Sequence, residues 1–215
     1  MSASILACHG LGFRYPSAPQ PVLRGFDLKV SASEVVAVTG PSGCGKSTLL
    51  YVLGLFLHAD AGTLRILGVE TTAMGDRQRS LLRAHVIGFV LQEAAFHQGL
   101  SLRQNVADGA LYSGSSATEA RDRADVLLYR YGLTNFAAQR PSEVSGGQAQ
   151  RAALCRALIR RPALILADEP TGNLDEENAQ LVMAGLRDAA DEGAGVLVVT
   201  HSSAIAAATD RVIAL

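Results

Sequence analysis

Gly40-Pro41-Ser42-Gly43-Cys44-Gly45-Lys46-Ser47 carries the most legible chemistry in the chain. A glycine, four residues and then Gly-Lys-Ser is a spacing that lets successive backbone N–H groups turn inward around phosphate oxygens. Lys46 is placed to meet the β and γ phosphates of a nucleotide, and the Ser47 hydroxyl to ligate magnesium. The run also has the context it needs. Val35-Val36-Ala37-Val38-Thr39 before it reads as a buried strand, and Thr48 to Leu57 after it reads as an apolar helix whose positive dipole end faces the anion. Only Lys29 and Lys46 among the 19 basic residues are lysine, so a lysine at this place is not routine surface charge.

Ser145-Gly146-Gly147-Gln148 opens a second helix, running to Ile159. Ser-x-x-Gln is by itself a capping box, in which the two side chains satisfy free N–H groups reciprocally. Two glycines are more than a cap needs, and each costs about 1 kcal/mol relative to alanine where it is helical. Bare amides at a helix N-terminus make a second anion site.

Ala163 to Ala167 and Gly195 to Thr200 are, like Val35 to Thr39, apolar without alternation. Such strands belong to a parallel sheet covered on both faces by helices, so the fold class is α/β, and ligands bind beyond the carboxyl ends of the strands. The residues found there are Gly40 to Ser47, Asp168-Glu169 and His201, which the sheet brings to one edge. Asp168 can hold the magnesium shell. Glu169 points the other way along the strand, so the two carboxylates need not share a task. His201 is placed to hydrogen-bond the γ-phosphate and a carboxylate, although a histidine at a strand end is as readily a plain edge residue. Gln92 follows the strand Val86 to Leu91, with its amide in reach of magnesium or the attacking water. Thr118 to Tyr131 and Ala149 to Ile159 have helical spacing, while Ile5 to Tyr15, Phe26 to Val30 and Thr63 to Leu67 read as short antiparallel strands.

Taken together these motifs resemble the nucleotide-binding subunit of an ATP-binding cassette (ABC) transporter over the whole chain. The resemblance implies an ABC-type phosphate-loop ATPase: a mixed, largely parallel sheet core, an N-terminal antiparallel part and an inserted helical subdomain. It divides a single domain, 1–215, into a core of 1–91 and 162–215 and a helical signature subdomain of 92–161. It implies ATP and Mg2+ as ligands, with ATP held by Tyr15, Gly40, Ser42, Gly43, Cys44, Gly45, Lys46, Ser47 and Thr48. Ser145, Gly146, Gly147 and Gln148, the signature, complete the site of a second copy in a head-to-tail homodimer. Tyr15, in Phe13-Arg14-Tyr15, matches the aromatic that stacks on adenine, in a chain without tryptophan. Glu169 matches the base that prepares the attacking water, His201 the switch histidine, and Gln92 a loop that senses a transmembrane permease subunit. Magnesium falls to Ser47, Gln92 and Asp168, and catalysis to Glu169, His201, Lys46 and Gln92. Asn173 and Asp175 match a dimer-interface segment, and Asp175 also suits a helix N-terminus on its own chemistry.

Glu169-Pro170-Thr171-Gly172-Asn173-Leu174-Asp175 is most similar to the lipoprotein-release, macrolide-export and cell-division subgroup. Two departures stand out. Val144 precedes the signature where leucine is usual, and Glu93 to Leu100 lacks features that would name a membrane partner.

Composition limits the alternatives. With 48% hydrophobic and 18% charged residues the 215-residue chain is a folded domain, and its longest apolar run, Leu49 to Leu57, is half of what spans a bilayer. A formal charge of -1 gives no footprint for nucleic acid, so none is expected as partner. Cys8, Cys44 and Cys155 form no metal-ligand or redox pair, which suits a reducing cytoplasm. The implied place is peripheral, on the cytoplasmic face of the inner membrane, with no regulatory domain after Leu215. A soluble ABC ATPase without a transport role, and an ATPase that signals through a membrane partner to cell-wall enzymes, are the competing readings.

Overall fold

The computed structural model describes residues 4–111, 114–172 and 174–215. In chain order its elements are β1 (Ser4–Phe13), β2 (Leu23–Ser31), β3 (Val35–Thr39), α1 (Lys46–Leu53), β4 (Ala61–Ile66) and β5 (Val69–Glu70). There follow α2 (Asp76–Val86), β6 (Ile87–Val90), α3 (Leu102–Leu111), α4 (Ala117–Arg130) and α5 (Gly146–Leu158). The remaining elements are β7 (Leu164–Asp168), α6 (Glu176–Asp191), β8 (Gly195–Val199), α7 (Ser203–Ala207) and β9 (Arg211–Ala214).

The two kinds of strand pattern sort into two sheets. β2-β1-β4-β5 is antiparallel, and β6-β7-β8-β3-β9 is parallel at every pairing. The unbroken apolar runs follow from the parallel sheet lying between two cores. Val35, Ile165, Ala167, Val196 and Val198 face α3 to α6, while Val36, Val38, Leu164, Leu166, Leu197 and Val199 face α1 and the antiparallel sheet. Successive side chains go to opposite faces, and here both faces are dry. The inserted helices α3 to α5 lie between β6 and β7, and their apolar sides join the first of these cores.

The helices compare with the sequence pattern in different ways. α1 stops at Leu53 and not at Leu57: Gly54 caps it at φ -81° and ψ 4°, and Leu55 turns the chain at φ 64°. α2 fully buries only Arg79, which donates to the Leu55 and Leu57 carbonyls and lies 2.9 Å from His58 Nδ1, and it packs Leu82 and Val86, both half-buried, against the second core. α5 starts at the signature glycines themselves, as the Ser145 capping motif predicts.

The segment between β6 and α3 has no regular structure but is well fastened. Asn105 Oδ1 accepts from His97 N at 2.8 Å, and its Nδ2 donates to the carbonyls of His97, Leu100 and Ser101. Arg156 of α5 stacks on Phe96 at 4.6 Å and donates to Ala95 O at 2.6 Å. Gln150 of α5, itself buried, donates to Leu91 O at 3.0 Å.

Leu166, fully buried in β7, tests the second core. Leu166→Ala is expected to lower unfolding free energy by about 2–5 kcal/mol, read as a lower urea midpoint with an unchanged slope.

Candidate active site

Parallel register places the carboxyl ends of neighbouring strands in a row. Gln92 follows β6, Asp168 ends β7 with Glu169 after it, Thr200 and His201 follow β8, and the phosphate loop follows β3. The loop is shaped by its glycines. Gly45 caps α1 at φ 106°, and a Cβ there would fall 2.6 Å from Val22 Cγ1. A Cβ on Gly40 would fall 2.7 Å from Cys44 Sγ and 3.1 Å from Leu215 O. Gly43, at φ 80°, has open space around it, and Ser42, Gly43 and Ser47 are exposed. Lys46 is buried, and its Nζ donates to Gly40 O at 2.8 Å and Pro41 O at 2.9 Å, so the ammonium is folded onto its own loop.

Asp168 is buried beside this loop. Burial holds its carboxyl above the usual carboxylate range; the Ser47 hydrogen bond opposes that rise, the Glu169 charge adds to it, and Lys46 opposes it. Glu169 then leaves the strand at φ 42°, a left-handed conformation that costs a non-glycine residue about 1 kcal/mol or more. Its carboxylate is held at three points: Oε2 accepts from Thr200 Oγ1 at 3.1 Å, Oε1 accepts from His201 N at 2.9 Å, and His201 Nδ1 lies 2.6 Å from Oε1. Thr200, fully buried, also accepts from Ser202 N at 3.0 Å. Gln92 is exposed beside the Glu169 turn, its Nε2 3.9 Å from where a Cβ of Gly172 would stand. Tyr15 packs edge-on against Phe13, 4.8 Å between centroids, and its hydroxyl is 3.2 Å from Thr48 Oγ1, which leaves an aromatic face beside α1.

Ser145 and Gln148 form the reciprocal cap, with Ser145 N donating to Gln148 Oε1 at 2.9 Å and Gln148 N to Ser145 Oγ at 3.3 Å. Asp175 caps α6, accepting from Asn178 N at 2.8 Å. Asn173 lies outside the described residues. The predicted residues therefore fall into two groups. Tyr15, Gly40 to Thr48, Gln92, Asp168, Glu169 and His201 gather along the strand ends, whereas Ser145 to Gln148 and Asp175 sit at the neighbouring N-termini of α5 and α6. Among the described residues no hydrogen bond joins the signature to the phosphate loop.

Magnesium takes oxygen ligands, and the Ser47 hydroxyl bonded to the Asp168 carboxylate is a fitting pair. Sequence reasoning missed Thr200, Gln150 and Asn178. The first is a polar residue at the end of an apolar strand and the second a polar residue on the apolar face of α5; Asn178 gives no such signal.

A glycine loop between a buried strand and a helix, with an acidic strand end beside it, defines the phosphate-loop nucleotide-binding class. The chain belongs to the ABC transporter family, whose profile matches residues 23–172. It is 42% identical to the lipoprotein-releasing system ATP-binding protein LolD of Maricaulis maris, over 90% of this chain and 85% of that one. It is 41% identical to the macrolide export ATP-binding/permease protein MacB of Rhodopseudomonas palustris, over 100% of this chain but 33% of that longer protein. Among solved structures, a dimeric ATP-binding cassette in a post-hydrolysis state with ADP and Pi superposes with a TM-score of 0.91. That match is 32% identical and covers 98% of this chain and 94% of the other.

The buried Asp168 charge makes a stability prediction with a definite sign. A carboxyl raised above its unfolded value destabilises the fold at neutral pH, and that cost disappears as pH falls below the ordinary carboxylate range. Asp168→Asn is therefore expected to raise Tm at neutral pH in the absence of nucleotide. The advantage over the wild-type chain should narrow on acidification, measured by thermal melts across pH.

Proposed function

We propose that this chain binds and hydrolyses ATP with magnesium, as one half of a homodimer whose closing and reopening drives a separate transmembrane permease subunit. The observation that carries the reading is the threefold hold on Glu169, directly after Asp168 and separated from the phosphate loop by the single strand β8. Among the described residues no helix is long and apolar enough to cross a membrane. The LolD-type relatives are of similar length to this chain, whereas the MacB relative named for both ATP binding and permease is about three times longer. Both likenesses favour a cassette at the cytoplasmic face of the inner membrane that powers extrusion of a lipoprotein, peptide or drug.

In this mechanism the amides of Ser42 to Ser47 cradle the phosphates, and Lys46 turns from the Gly40 and Pro41 carbonyls to phosphate oxygens. Magnesium, held by Ser47, Asp168 and Gln92, supplies charge neutralisation when bound. Tyr15 stacks on the adenine. Ser145 to Gln148 of the partner copy close over the γ-phosphate through amides at the N-terminus of α5. Glu169 accepts a proton from water, whose oxygen attacks the γ-phosphorus in line; the bond to the β–γ bridging oxygen breaks, leaving ADP and phosphate. His201 steers the Glu169 carboxylate and hydrogen-bonds the γ-phosphate. Catalysis is chiefly positioning and charge stabilisation. Asp175 and Asn173 belong to the dimer interface.

Glu169→Gln is expected to cut steady-state hydrolysis by a factor of about 10²–10⁴ while ATP still drives dimerisation, checked by phosphate release and light scattering. Intact hydrolysis would remove Glu169 from the role of base. Cys44 gives a second check. Cys8 and Cys155 are buried, and burial pushes both thiols up to about 12, so a maleimide should react first at the half-exposed Cys44. Alkylation should block ATP binding, ATP should protect, and Cys44→Ser should be insensitive. A Cys44→Ser chain inactivated as fast as the wild type would contradict this.

A further inference from the structure

The two signature glycines stand in different surroundings. A Cβ on Gly146 would meet nothing within 4 Å. A Cβ on Gly147 would fall 2.6 Å from Asn178 Cγ, 2.7 Å from Nδ2 and 2.8 Å from Oδ1, well inside ordinary carbon contact. The whole Asn178 amide is thus pressed against the bare face of Gly147. That amide cannot easily yield, because Nδ2 donates to both Asp175 carboxylate oxygens at 2.8 Å, and such charge-assisted bonds are the strong ones. Capping of α6 does not require these bonds, since the Asn178 backbone N–H already donates to Asp175 Oδ1.

We propose that Asn178 is a positioning residue for the signature: its amide is the seat of Gly147, and it ties the first turn of α5 to Asp175 in the same chain. Gly147 must then lack a side chain because of Asn178, whatever its backbone does for nucleotide. The signature cannot shift toward α6 without moving Asp175. In a closed pair this tie links the part of one chain that serves its partner's ATP with the segment assigned to the dimer interface, a role that rests on the proposed ATPase function.

The test is a double-mutant cycle on the full chain with Gly147→Ala, Asn178→Ala and both together. Asn178→Ala keeps the backbone cap, so Tm should stay near the wild-type value while kcat falls roughly tenfold with a smaller change in KM. In a Glu169→Gln background the same change should weaken ATP-driven dimerisation by a similar factor. Gly147→Ala should lower both Tm and kcat, and adding Asn178→Ala should recover Tm and roughly tenfold in rate, since the new methyl occupies the vacated space. A double variant no better than Gly147→Ala in either readout overturns the seat. Wild-type kcat and dimerisation in Asn178→Ala overturns the positioning role. A wild-type chain that neither hydrolyses ATP nor dimerises with it fails the functional reading instead, and the Tm cycle still decides the seat.

Discussion

Parallel pairing in β6-β7-β8-β3-β9 is the constraint on which the other features depend. Parallel strands cannot be joined by tight turns, so every connection has to cross a face of the sheet and bury it. That burial demands uninterrupted apolar strands, and it leaves the carboxyl ends as the place where polar groups can collect without crossing a core. Asp168, Glu169, Thr200, His201 and the phosphate loop are all there. The inserted helices α3 to α5 are one very long crossover between β6 and β7.

The polar edge is held in tension by its own charges. Lys46 donates to backbone carbonyls and not to a carboxylate, while Asp168 is desolvated beside it and bonded through Ser47. Glu169 is kept in a left-handed turn by the Thr200 and His201 hydrogen bonds. Sites of this kind commonly trade stability for function, and backbone strain of about 1–3 kcal/mol persists where its surroundings over-determine it. Here the surroundings are the rigid ends of β7 and β8.

The parts readable from sequence are those with local periodicity or a local motif. Val35 to Thr39 is a strand as predicted, the β7 run is shifted by one residue at both ends and the β8 run is one residue short at its end, because apolar strands buried on both faces leave little ambiguity. The Ser145 cap was legible because Ser145 and Gln148 stand three apart, and the Asp175 cap because an aspartate suits a helix N-terminus. α2 was not, since its fully buried residue is Arg79 and its apolar face is reduced to the half-buried Leu82 and Val86. Thr200, Gln150 and Asn178 were hidden for another reason. Each acts through a residue far away in sequence or on another element, Glu169, Leu91 and Gly147 respectively, and nothing in a linear pattern announces such a neighbour.

The fastening of α5 to the loop after β6 has a mechanical meaning. Gln150 grips Leu91 O and Arg156 grips Ala95 O, six residues apart on the helix, or about 9 Å along its axis. Two grips at that separation resist a pivot of the helix against the loop that a single one would leave free. Asn105 clamps the next stretch of the loop from α3. A displacement of residues 93–101 would therefore be carried into α5 and to Ser145 at its N-terminus rather than taken up between loop and helix.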